Sequence, residues 1–100
     1  MLLAAVPASA SAASGQLRYD YVTVGGYVAT GFLNDPPGAE CLNLPGVGQE
    51  NPEPGDSPKN RIDAWATVFT EPNCQGDSFT LRPHTGGASE RLKVRSVVFG

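Results

Sequence analysis

Residues 63–70 carry the cleanest two-residue alternation in the chain, with Trp65, Thr67 and Phe69 on one side and Ala64, Ala66 and Val68 on the other. A strand projects successive side chains to opposite faces, so this period predicts a β-strand, with Trp65 expected in the core. Residues 17–24 repeat the pattern, Leu17, Tyr19, Tyr21 and Thr23 alternating with Arg18, Asp20, Val22 and Val24. Gly25-Gly26 then turns the chain, and 27–33 reads as a second strand. Asn34-Asp35-Pro36-Pro37-Gly38 is a tight loop and 40–44 a short third strand. After 63–70, a Glu71-Pro72-Asn73 bend leads to a strand at 78–81, a loop through Pro83 and Gly86-Gly87, and a last strand at 92–99. No segment shows a 3.6-residue apolar stripe. Short strands separated by Gly/Pro turns, with no crossover helix, predict an all-β fold, an antiparallel sandwich or barrel.

One segment breaks the pattern. Residues 45–58 hold Pro45, Pro52, Pro54 and Pro58 with Gly46, Gly48 and Gly55, too many for a minimal hairpin turn. The expectation is an exposed acidic loop, and Gly46, Val47, Gln49, Glu50, Glu53 and Asp56 are its candidate contact residues. An idle insertion is the alternative.

The chain has 100 residues, 40% of them hydrophobic, which bounds it to one domain. Its start reads as part of a secretory signal: Met1 to Val6 is apolar, and Ala8-Ser9-Ala10 and Ala10-Ser11-Ala12 are overlapping cleavage-site patterns. Residues 1–13 are therefore expected to be a signal-peptide remnant lacking the basic n-region, and 14–100 the domain. Export implies an oxidising compartment, in which the two cysteines, Cys41 and Cys74, are expected to pair. That bridge would close a loop of about 34 residues, worth about 3–4 kcal/mol in the chain-entropy model. Two buried free thiols are the alternative. No apolar run reaches the roughly 18 residues of a membrane span.

The net charge of −3 argues against nucleic-acid binding, although Arg82, Arg91, Lys93 and Arg95 gather late in the chain. His84 is the only histidine, so a two-histidine zinc site is impossible. Ser78, Asp77 and His84 lack the nucleophile-elbow signature of a hydrolase. Glu53 and Asp56 lie in a Pro/Gly loop rather than across a cleft. These absences together predict a non-catalytic protein.

Phe69-x4-Cys74-x-Gly76, followed by Ser96-Val97-Val98-Phe99, resembles the βγ-crystallin superfamily, in particular its small secreted bacterial single-domain members. The family motif sets an aromatic, four residues, a second aromatic, one residue and a glycine; Cys74 takes the second aromatic position. In the first half, Tyr27-x4-Phe32 supplies both aromatics, but Asn34 stands where the glycine belongs. The resemblance covers residues 27–99 in architecture and the last third in motif. It implies an antiparallel β-sandwich of two Greek-key motifs.

Many members bind calcium through two acidic or amide residues, two variable positions and a Ser/Thr-Ser pair. Residues 59–64, Lys-Asn-Arg-Ile-Asp-Ala, and 91–96, Arg-Leu-Lys-Val-Arg-Ser, are the nearest matches, with Asn60 and Asp63 the only candidate ligands. Cations at Lys59, Arg61, Arg91, Lys93 and Arg95 disfavour the ion, so no cofactor is expected. The function expected is a secreted, monomeric binding or stress-resistant module with an unknown protein target and no membrane or nucleic-acid partner. A secreted metalloproteinase inhibitor, whose target is an extracellular protease, and an antimicrobial or killer-toxin-like protein are the alternatives that the resemblance raises.

Overall fold

The computed structural model describes residues 13–100. The signal-peptide reading of residues 1–13 falls outside them except at Ala13, which is buried and donates its N–H to the Pro36 carbonyl at 3.0 Å. Eight strands form two four-stranded antiparallel sheets: β1 Gly15–Val22, β2 Val28–Asn34, β3 Leu42–Asn43, β4 Gly55–Ile62, β5 Ala66–Glu71, β6 Gln75–Leu81, β7 Lys93–Val94 and β8 Ser96–Phe99. One sheet runs β2-β1-β4-β7 and the other β3-β8-β5-β6. Each sheet thus draws three strands from one of the sets β1–β4 and β5–β8 and its short end strand from the other set.

The inward alternation of β1 places Leu17 and Tyr19 in the core, where Ile62, Ala66, Val68, Val94, Val97 and Phe99 meet them. The Tyr19 ring lies against β2 at Gly31, where any Cβ would overlap it. Glycine is therefore required by close approach at that position.

Four expectations change. The first half of strand β4, residues 55–58, lies inside the predicted exposed loop, because Gly55 and Pro58 look like turn residues. Pro58 is buried, and its missing N–H falls where the β1–β4 register breaks, between Arg18↔Lys59 and Asp20↔Asp56. A bulge tolerates proline in an interior strand. The strand expected at 63–70 begins at Ala66, and its Ala66/Val68 face is the buried one, so Trp65 is 53% exposed. The last strand is divided: residues 93–94 pair with β4 in one sheet, and 96–99 pair with β3 and β5 in the other. Arg95 sits at the crossing. Finally, β6 starts at Gln75, three residues earlier than its apolar pattern suggests.

Candidate interaction surface

The hairpin between β5 and β6 carries Asn73 (φ 62°), Cys74 (φ 57°) and Gly76 (φ 82°) in the left-handed region. Two of these are not glycine, so neighbouring contacts must hold the bend. Cys74 is bonded to Cys41, with Cα atoms 6.0 Å apart. Asn43 and Asn73 exchange side-chain bonds, Asn43 Nδ2 to Asn73 Oδ1 at 3.0 Å and Asn73 N–H to Asn43 Oδ1 at 2.7 Å. Buried Ser96 donates to the Glu71 carbonyl at 2.6 Å and accepts from the Cys74 N–H at 2.9 Å. The bend is thereby fastened to both β3 and β8.

Among the described residues, the β1–β2 hairpin has no comparable tie at its tip. Thr23 closes its turn locally, donating its N–H to the Tyr27 carbonyl at 2.7 Å and accepting the Tyr27 N–H on Oγ1 at 3.0 Å. Val24, Tyr27 and Val28 are 67%, 75% and 82% exposed, and Val22 is 39% exposed. Three apolar residues so open within the five positions 24–28 form an unusual tip for a small domain.

Residues 46–53 lie beside it, held largely through the backbone. The Arg95 guanidinium donates to the carbonyls of Val47 (3.0 Å), Gly48 (2.9 Å), Asn51 (3.0 Å) and Pro52 (3.2 Å). Buried Asn51 donates to Val22 O at 2.8 Å and Gly46 O at 3.0 Å, joining this loop to the hairpin, and its Oδ1 accepts the Glu53 N–H. Tyr19 donates its phenol to Pro45 O at 2.6 Å. Burial, and secondly the neighbouring Tyr21, holds that phenol well above the ordinary tyrosine range, so it stays a neutral donor.

Of the six contact residues expected here, Gly46, Gln49, Glu50 and Glu53 are exposed, whereas Val47 is fully buried in the core. Asp56 belongs to β4 and accepts from Ser57 Oγ at 2.8 Å. The expected open loop is a pinned one. Asn60, one of the two candidate ligands of the disfavoured calcium site, is fully buried. Its amide donates to the carbonyls of Ala64, Leu81 and Arg82 and its oxygen accepts the Ile62 N–H. Bound to four backbone groups in the interior, three through Nδ2 and one through Oδ1, Asn60 has a structural role. Asp63 accepts from the Ser14 N–H at 2.9 Å. Arg95 and Asn51 were missed as organisers because their partners are carbonyls, which have no side-chain signature. The apolar tip had a signal: Val22, Val24, Tyr27 and Val28 surround Gly25-Gly26, where polar turn residues are usual. No protein-family profile matches the chain, and no curated protein or solved structure matches it either.

Proposed function

We propose that the chain is a secreted, non-catalytic binding module with a βγ-crystallin-like fold of two Greek keys. The strand exchange supports the fold, since strands β1–β4 and β5–β8 form two successive four-strand units that trade their third strands. So does the β5–β6 bend folded onto Ser96, the serine of the motif that prompted the resemblance. The observation that carries the function is the pairing of a pinned acidic loop with the exposed tip of Val24, Tyr27 and Val28. A pre-ordered loop loses little conformational entropy on docking, and the apolar tip supplies area to bury. Immobilised protein exposed to the extracellular fraction of its source should retain a partner that a Tyr27→Ser/Val28→Ser variant does not. Equal retention by the two proteins would reject this face as the binding site.

A protease inhibitor is the second reading, favoured by the rigidity that Arg95 and Asn51 impose on residues 47–52. In that case an extracellular protease is the target and Gln49, Glu50 and Glu53 face its cleft. Titration against metallo- and serine proteases decides between them, because an absence of inhibition at micromolar concentration removes the inhibitor reading.

A further inference from the structure

The solvent face of the β2-β1-β4 layer sorts its charges by position. Arg18 on β1 lies directly opposite Lys59 on β4, and Gln16 opposite Arg61 on β4. All three cations are exposed, and the side chain across from Arg18 on β2 is Phe32, 44% exposed. Like charges placed opposite each other across strands destabilise a sheet, so the Arg18–Lys59 pair has a cost that an anion would remove. The carboxylates around this cluster are engaged or displaced. Asp35 and Asp63 accept from the N–H groups of Gly15 and Ser14. Asp20 and Asp56 lie opposite each other beyond the bulge, toward the hairpin tip, where they accept from Thr30 Oγ1 and Ser57 Oγ. Among the described residues, Arg61 spends one nitrogen on the His84 carbonyl at 3.1 Å, leaving its other donors for a ligand.

We propose that Phe32, Arg18, Lys59 and Arg61 form a binding platform for an acidic glycan, a polysaccharide bearing carboxylate or sulfate groups. Strands about 4.8 Å apart put this row about 10 Å across, the span of roughly two sugar rings. The ligand crosses the strands, since a polyanion lying along them would run into Asp20 and Asp56. That geometry also disfavours nucleic acid, which needs a longer run of cations to neutralise successive phosphates. Guanidinium groups pair with carboxylate or sulfate oxygens in a bidentate manner, and the open Phe32 ring offers an apolar surface to the flat face of a sugar. The platform is separate from the apolar tip and the 46–53 loop, and does not depend on the function proposed for them.

The test measures binding of the full chain to heparin (sulfated), polygalacturonate (carboxylated), neutral dextran and an oligothymidylate. Binding to one or both acidic glycans is expected, weakening at least tenfold between about 50 mM and about 500 mM salt as the ion pairs are screened. The two acidic arms tell sulfate from carboxylate. An R18Q/K59Q/R61Q variant should lose at least tenfold, F32S several-fold, and R91Q, with the same charge change as a single variant, nothing. Should the triple variant unfold, K59Q alone serves, because it relieves the opposed pair: its midpoint of unfolding stays level or rises while affinity drops several-fold. No binding to either acidic glycan, equal binding to dextran, tighter binding to the oligothymidylate, or binding indifferent to K59Q would each overturn the proposal.

Discussion

The two hairpins share one spacing and have opposite fates. Tyr19-x4-Val24-x-Gly26 and Phe69-x4-Cys74-x-Gly76 both place a glycine with positive φ after the bend, at 93° and 82°. In the second, the bend lies over its own sheet and is secured by a disulfide, an asparagine pair and a buried serine. In the first, Val24 stands where Cys74 stands in the other, and the tip is left in solvent. The spacing makes a turn in both cases. What decides whether a turn becomes framework or display is the side chain at its centre and the partner waiting for it. Tyr27, Phe32 and Asn34 lie on or beside β2, and by spacing alone Gly26 corresponds to Gly76.

Cutting the tie should produce the largest effect. A Cys41→Ser/Cys74→Ser variant is expected to lose about 3–4 kcal/mol in chemical denaturation, and limited proteolysis should then cleave near residues 72–76 before 23–27. Cleavage at 23–27 first would mean that the second hairpin is held without its disulfide. The glycines come next. Gly76→Ala suffers both from its φ and from overlap with Thr70 Oγ1, whereas Gly26 has open space around it. Gly26→Ala should therefore cost about 1–2 kcal/mol from backbone conformation alone, and Gly76→Ala measurably more. Equal losses would show that the packing difference has no energetic weight.

A third measurement probes the root of the free hairpin. Tyr19 has its pKa raised in the folded state by burial, while an unfolded tyrosine ionises near pH 10. The unfolded chain then holds fewer protons at this group above that pH, so the contribution of Tyr19 to stability is level below about pH 10 and falls above it by up to about 1.4 kcal/mol per pH unit. A Tyr19→Phe variant should remove most of that alkaline slope; an unchanged slope would assign it to other groups. The smallest effect belongs to the tip: Tyr27→Ser and Val28→Ser should each change stability by about 0.5 kcal/mol or less. A larger loss would mean that the tip supports the fold.

How much of this was legible can be argued residue by residue. Strands β1 and β5 were readable because apolar and polar residues alternate, and the Cys41–Cys74 pairing followed from there being two cysteines. The period does not say which face is buried when both are apolar, and Trp65/Phe69 against Ala66/Val68 is such a case. Strand β4 was obscured because Pro58 signals a break to a local reading, and only the long-range bulge against β1 makes it acceptable. The loop expected at 45–58 is shorter than its Pro/Gly content suggests, because residues 55–58 belong to β4, and the order of the remainder depends on Arg95, 44 residues beyond Asn51. The cationic platform stayed hidden for the same reason, since Arg18 and Lys59 meet only through the β1–β4 register.

Arg95 reads carbonyls, not side chains, and that makes its clamp blind to the residues it holds. Gln49 and Glu50 lie within the clamped span and face solvent, so their identities can change while the backbone path persists. Glycine at 46, with its φ of 83°, and the asparagine at 51 are the fixed points of that path. The 46–53 loop thus keeps one backbone path whichever side chains stand at positions 49 and 50.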